Sequence, residues 1–298
     1  MKTLVVGGTG MIGGYIALRQ REEGRAVTIA ARKPPRAPVL ADFPVLLGDY
    51  VEDAFTADDL APFDTIVFAA CNDPRHVPRG LDKAGEDEFY RRANSLAVPR
   101  FFARAREAGV RRMAYIGSFY PQAKPELVGP SGYIRSRLEA DEGARALAGP
   151  GFHVVSLNAP VVIGAIPGII PNKAQAEWAL GRREAPLRAA SGGVNCISMR
   201  SLYAAIRGGL EKGENGRGYL VGGENLQFAD YFGLFFRAAG RNVQFEIRDD
   251  EPMPLFPDGA LMAGRSGTIF YEPEGADALG YEPADLARAV GEIVDMVR

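Results

Sequence analysis

Cysteine, histidine and net charge are all scarce in this chain. Its 298 residues include two cysteines, two histidines and one tryptophan, and 35 Lys and Arg stand against 37 Asp and Glu for a formal charge of −2. With Cys71 and Cys196 alone, a disulfide-stapled secreted scaffold is excluded. Both are read as free thiols, and the reducing cytoplasm is the expected compartment. The near-neutral balance gives no general attraction to nucleic acid or anionic lipid. No grouping of His, Cys, Asp and Glu has metal-ligand spacing, and no serine sits in a nucleophile elbow, so metal and acyl-transfer chemistry are unsupported. Long apolar runs are few as well. The longest uncharged stretch, Ala146 to Asn172, is interrupted by Pro150, Pro160 and Pro167 and reads as a buried strand and a loop, not a membrane span.

What the chain does contain is 47% apolar and 24% charged residues, enough to bury a sizeable core. Short apolar runs alternate with longer helical patterns through the first half, the signature of a parallel sheet with helices on its faces. The strand candidates are Thr3–Val6, Ala26–Ala30, Val45–Leu47, Thr65–Ala69, Met113–Ile116 and Phe152–Leu157. The clearest helices between them are Ile12–Glu23, Glu86–Ala108 and Tyr133–Leu147. Beyond Gly164 the order breaks into pieces punctuated by Pro and Gly, with helical patterns at 174–180, 202–210, 231–239 and 286–297. The expectation is an α/β protein: a doubly wound parallel sheet of Rossmann type over 1–164, and a smaller substrate lobe over 165–298. Some segments of that lobe are expected to return to the first domain.

Strand and helix meet first at Val5-Val6-Gly7-Gly8-Thr9-Gly10-Met11-Ile12-Gly13. In this setting Gly7 allows the sharp turn, Gly10 lets backbone amides approach a pyrophosphate and Gly13 lets helix and strand pack closely. The helix N-terminus is left aimed at the anion. Dinucleotide binding through Gly7, Thr9, Gly10, Met11, Ile12 and Gly13 follows as the expectation. About 20 residues on, a carboxylate ordinarily receives the adenosine ribose hydroxyls. Here the strand ends in Ala31-Arg32-Lys33, two cations where a 2′-phosphate would lie, so NADP(H) is preferred and NAD(H) stays open, because arginine can also stack on adenine. Asp49 is placed either to accept from the adenine amino group or simply to form a turn.

The glycine pattern, Gly48-Asp49, the run Asp64-Thr65-Ile66-Val67-Phe68-Ala69-Ala70, Asn94, Ser118 and Tyr133 together resemble the extended short-chain dehydrogenase/reductase superfamily. Asn158–Gly164 and Gly222-Gly223-Glu224-Asn225-Leu226 are similar to its dihydroflavonol-reductase-like and nucleotide-sugar-epimerase-like branch. The resemblance implies Tyr133 as general acid and base, Ser118 orienting the substrate oxygen, and a cation four residues after the tyrosine. It also implies cofactor contacts at Ala69, Ala70, Asn94 and Val161, and a homodimer through the helices bearing Asn94 and Tyr133. A phenol ionises near pH 10. A charge roughly 5 Å away at an effective dielectric near 20 is worth about 3 kcal/mol, so the cation is expected to draw the phenol towards neutrality. The cation here is Arg137, where the superfamily has lysine. Its planar guanidinium keeps the charge but not the compact shape that binds the nicotinamide ribose.

Strand ends form the ligand crevice of such sheets. Cys71, His76, Phe119, Tyr120, Ile163 and Trp178 are therefore substrate candidates, mostly apolar, although each aromatic or aliphatic one fits core packing as well and His76 fits an exposed loop. Asn94 either orders the strand-end backbone or packs within its helix, and His153 reads as structural. Arg182, Arg183 and Arg200 could serve a sugar-nucleotide diphosphate, and a solvated helix end explains the first two equally well. The principal expectation is an NADP(H)-dependent oxidoreductase acting on a small or medium, largely apolar carbonyl or alcohol. The alternatives are a nucleotide-sugar epimerase or dehydratase, and an NADP-binding regulatory protein with little or no turnover.

Overall fold

Seven strands join in one sheet in the computed structural model, which describes residues 1–256 and 261–298. They are β1 (Lys2–Val6), β2 (Ala26–Ala31), β3 (Val45–Leu47), β4 (Thr65–Phe68), β5 (Arg112–Ser118), β6 (His153–Ala159) and the strand Gly218–Leu220. Their spatial order is Gly218–Leu220, β6, β5, β4, β1, β2, β3, and every pairing is parallel. The central strands are apolar on both faces, as a sheet covered on both sides requires; β4 is buried at each of its positions. All six expected strands form, with ends shifted by no more than two residues. The seventh has three residues between glycines, too few for any pattern to register.

Helix α1 (Met11–Glu22) and the helix Met199–Lys212 cover one face, joining Val5, Ile16, Ile29, Leu157, Leu202 and Ile206 in a single core. Helices Ala97–Glu107 and Gly132–Arg145 cover the other, around Phe68, Phe101, Phe102 and Tyr115. The helix expected over Glu86–Ala108 differs in detail. It starts at Lys83, where the Asp82 side chain accepts from the Gly85 N–H at 2.8 Å, and it opens into a π-helical stretch over Arg91–Leu96. Pro99, which lacks the N–H that would return to Ser95 in an α-helix, lies just beyond that stretch.

The second lobe is built on the strand Gly193–Ser198, flanked in parallel by Val161–Ile163 and Thr268–Ile269 and antiparallel by Glu224–Gln227. Helices Lys173–Ala179, Phe228–Ala238 and Leu286–Val297 enclose its core of Phe232, Phe235, Phe236 and Ile293. Val161–Ile163 thus belongs to the lobe sheet, while Gly218–Leu220 returns to the main one. No helix among the described residues is long and apolar enough to cross a membrane.

Candidate active site

The direction of winding reverses at β1, with β2 and β3 on one side and β4 to β6 on the other. A crevice opens above the carboxyl ends at such a switch point. The chain leaves β1 through Gly7, whose φ of +81° is the left-handed region glycine favours, and whose N–H donates to the Ala30 carbonyl at 2.9 Å. A Cβ on Gly7 would stand 2.8 Å from the Ala70 nitrogen, and one on Gly13 would stand 2.4 Å from the Gly7 oxygen. Both glycines are therefore demanded by the protein's own packing.

Gly10 is different. A Cβ there would meet only the Gly7 oxygen, at an ordinary 3.5 Å, and its backbone (φ −86°, ψ 174°) suits any residue. It caps α1 without a side-chain hydrogen bond, and no acidic residue stands in the first turn. Gly10 is exposed and Thr9, Met11 and Ile12 are partly so, and the N–H groups of Met11 and Ile12 make no hydrogen bond among the described residues. A bare helix start beside a glycine that packing does not require fits a pyrophosphate. Gly10→Ala is expected to weaken dinucleotide affinity more than about tenfold while changing stability by no more than roughly 1 kcal/mol, the scale of an N-cap change. Gly13→Ala, by contrast, should lower the melting temperature. Fluorescence titration with thermal melts on both variants checks the contrast.

Arg32 and Lys33 follow β2 exposed, and neither makes a hydrogen bond or ion pair among the described residues. Arg36, which sequence reasoning passed over, is likewise exposed and unpaired there. Asp49 forms the turn that is the plainer of its two readings: one carboxylate oxygen accepts from the Val51 N–H at 2.9 Å, and the other has no partner among the described residues. Ala69 continues the line of β4 by donating its N–H to the Val6 carbonyl at 2.9 Å.

Beyond Ala70 the loop brings Cys71 and Asn72 to the helix Gly132–Arg145. Asn94, fully buried, donates to the Asn72 carbonyl at 2.9 Å and to the Ser136 hydroxyl at 3.1 Å, fastening the strand end to that helix. Asn72, missed by the sequence reading, donates in turn to the Tyr50 hydroxyl at 2.8 Å. Arg137 is 3% exposed. Its Nη1 lies 2.6 Å from the Cys71 sulfur, its Nη2 donates to the Ile116 carbonyl at 2.7 Å, and its Nε has no partner. No carboxylate pairs with it among the described residues, and the Tyr115 ring lies 5.3 Å from its guanidinium carbon. The Tyr133 phenol neighbours both the Cys71 thiol and the Arg137 guanidinium, so thiol, phenol and guanidinium form one cluster. Ser118 ends β5 buried, and its hydroxyl makes no hydrogen bond among the described residues.

The expected lowering of the Tyr133 phenol does not hold in this arrangement. Burial raises it well above its ordinary value and the neighbouring Cys71 adds to that, while Arg137 pulls the other way. Desolvation, which disfavours the phenolate, outweighs the attraction of the cation. Burial likewise pushes the Cys71 thiol up, opposed by Arg137. Arg137 itself stays charged: burial works against it, but Cys71, Tyr115, Tyr133 and Tyr50 hold the proton.

On the substrate side the structure divides the candidates. Tyr120 and Val161 line a cleft with Val194, Phe228 and Ile269, and Phe119 stacks behind Tyr120 with ring centres 4.2 Å apart. Trp178 is a correction. It lies in the lobe core against Phe232, Phe236 and Phe245, its indole N–H donating to the Ala185 carbonyl at 3.0 Å, because Lys173–Ala179 packs onto Phe228–Ala238. Ile163, 1% exposed, is lobe core too. The His76 ring accepts from the Asp73 N–H at 3.2 Å and closes a short turn, the loop role anticipated as its alternative. His153 bonds the Gly209 carbonyl at 3.0 Å, a structural role. Arg182 is spent on the carbonyls of Val297 and Arg298, Arg183 on Glu177, and Arg200 on Glu292 and Asp285. No group of three or more metal-ligating side chains forms among the described residues.

The model of the NAD dependent epimerase/dehydratase family matches residues 3–178. No curated protein matches the chain. Among solved structures, it is similar to a UDP-N-acetylglucosamine 4-epimerase from Methanobrevibacter ruminantium in complex with UDP-N-acetylmuramic acid (16% identity, TM-score 0.74, 99% of this chain and 97% of that one). It is similar as well to the UDP-glucose 4-epimerase of Thermus thermophilus in complex with NAD (19% identity, TM-score 0.72, 100% and 99% covered). A UDP-N-acetylglucosamine 4-epimerase from Bacillus cereus gives 15% identity and a TM-score of 0.72 over 100% of this chain and 96% of that one. At these identities the likeness is one of fold.

Proposed function

This chain belongs to the NAD dependent epimerase/dehydratase family, and from that membership we propose that it is an NADP(H)-dependent oxidoreductase of a largely apolar carbonyl or alcohol, working by proton transfer at Tyr133. The nicotinamide ring, when bound, supplies or takes up the hydride. The chain's own groups do the rest. The Ser118 hydroxyl, free of other partners among the described residues, hydrogen-bonds the substrate oxygen and sets its direction. Tyr133 holds its proton at neutral pH and delivers it to the oxygen that gains charge during reduction. Arg137 stabilises the phenolate left behind, in a setting where no carboxylate among the described residues competes for it. Asn94 keeps the Cys71–Asn72 backbone against the helix that carries both.

The observation that carries the choice of substrate is the cleft wall. Tyr120, Val161, Val194, Phe228 and Ile269 offer apolar surface, and the three arginines weighed for a diphosphate all have partners elsewhere. A nucleotide sugar needs cations there. The unpaired Arg32, Lys33 and Arg36 at the end of β2 support NADP(H) through charge-assisted contacts to a 2′-phosphate. A soluble dimer in the cytoplasm accords with this reading and is part of the proposal.

Purified protein is expected to consume NADPH with members of a panel of aldehydes and ketones. With UDP-glucose it should give no C4 isomer. Isomerisation without net cofactor consumption would establish the epimerase reading instead, and tight NADPH binding with no turnover on any carbonyl would make the chain a regulatory binder. In nicotinamide-fluorescence titrations NADPH should bind more tightly than NADH, and Arg32→Ala with Lys33→Ala should remove that advantage. Equal affinities in the unaltered protein defeat the argument from these cations.

A further inference from the structure

At the opposite end of the sheet, below the amino ends of the strands, lies a cavity of about 50 Å³. Arg25 enters it from just before β2, Thr65 from the first position of β4, and Arg112 from the first position of β5. Gln20 of α1, and Tyr203 and Arg207 of Met199–Lys212, close it from above. Nothing in the chemistry proposed above uses these residues.

The polar atoms around this space are incompletely satisfied. Thr65 and Gln20 are 1% and 3% exposed, yet Thr65 Oγ1 and Gln20 Oε1 have no hydrogen-bond partner among the described residues, and the Tyr203 hydroxyl, on a residue 6% exposed, has only Glu23 beside it. Buried polar atoms in native proteins are nearly always paired, so orphans converging on one cavity point to something that occupies it. The charges are unbalanced in the same direction. Three guanidinium groups face two carboxylates, Glu23 and Glu211, and the contacts between them are long: Arg25 to Glu211 at 3.4 Å, Arg25 to Glu23 at 3.7 Å, Arg207 to Glu23 at 3.6 Å. Arg112 has no side-chain partner among the described residues. Asp64, the next carboxylate along, is held by Arg111 and by the Lys2 N–H.

Water could satisfy the orphaned atoms but not the surplus cation. A water needs roughly 10–15 Å³ of such space, so the cavity takes three or four atoms of that size, which matches the oxygens of one tetrahedral anion. Tyr203, kept protonated by burial and by the neighbouring Glu23, and Thr65 present hydroxyl donors. A half-turn of the Gln20 amide substitutes Nε2 for Oε1 as a third donor. We propose that this cavity is a binding site for a phosphate group, free or as a monoester, held by Arg25, Arg112 and Arg207 with Thr65 and Tyr203 inside.

The test is a calorimetric titration of the full chain with inorganic phosphate, with sodium chloride at matched ionic strength as the control and NADPH present so that the glycine turn does not contribute. Saturable binding is expected with phosphate and none with chloride. Arg112→Ala and Arg207→Ala, both exposed positions whose loss leaves the core intact, should each weaken it at least tenfold. Thr65→Val, which keeps shape and removes the hydroxyl, should weaken it with an unchanged melting temperature. Glycerol phosphate in place of inorganic phosphate separates the sources: tighter binding of the ester identifies a phosphorylated metabolite, and binding of the inorganic ion alone identifies free phosphate. The proposal is overturned if the two arginine variants bind phosphate as the unaltered protein does. It is equally overturned if crystals grown in phosphate show only ordered water in this cavity. Neither result touches the oxidoreductase reading, whose residues lie at the other end of the strands.

Discussion

Tyr133→Phe is expected to remove carbonyl reduction almost entirely while leaving the protein folded and able to bind NADPH. A positioned acid contributes about 10² to 10⁴-fold, and the ring without its hydroxyl still fills its place against Tyr90, 5.5 Å between centres. The pH dependence gives the loss a signature. Burial, reinforced by Cys71, holds the phenol well above its ordinary value, so reduction, which uses the protonated form, should stay level through the neutral range and fall only under strongly alkaline conditions. Alcohol oxidation uses the phenolate and should rise with pH over the same interval. Both alkaline limbs should vanish in the phenylalanine variant, as steady-state rates against pH will reveal. Unchanged turnover in Tyr133→Phe would remove this residue from the mechanism.

Arg137→Met should separate activity from stability. Losing a charge about 5 Å from a developing phenolate costs about 3 kcal/mol at an effective dielectric near 20, or roughly a hundredfold in kcat/KM. The folded protein should not suffer comparably. Arg137 is a buried cation with an orphaned Nε and no carboxylate among the described residues, and replacing such a charge with an apolar side chain of similar size is often neutral or stabilising. The Ile116 carbonyl loses a donor, about 1 kcal/mol in the other direction. The expected outcome is a melting temperature unchanged or raised alongside a collapsed rate. Arg137→Lys, which restores a compact ammonium, should match or exceed the unaltered enzyme. A methionine variant with full activity would show the cation to be irrelevant.

The parts of this fold that could be read in the sequence are those where local pattern and burial coincide. β4, buried throughout and apolar from Ile66 to Phe68, and the glycine turn after β1 announce themselves because a covered sheet and a strained φ each restrict residue choice. Gly218–Leu220 did not, since its membership of the sheet is decided by its neighbour β6. The same division runs through the site. Tyr133 and Arg137 are one helical turn apart and could be paired from spacing, whereas Cys71 reaches Arg137 across 66 positions of sequence. Desolvation of Tyr133 is a property of that assembled cluster and has no sequence signal at all. Trp178 illustrates the reverse error: a large aromatic near the crevice in sequence turned out to be claimed by Phe232 and Phe236.

The crossing-over of Gly218–Leu220 into the main sheet bears on whether the protein can be dissected. A fragment ending near residue 164 would keep the glycine turn but leave β6 as a bare border, its amides and carbonyls unpaired along the side where that strand now lies. It would lose the cover of Met199–Lys212 over β5 and β6 at the same stroke. Such a piece would be adhesive instead of autonomous. The halves are thus obliged to fold as one cooperative body, and any grafting of this nucleotide cradle onto another scaffold must carry the distant stretch Gly218–Leu220 with it.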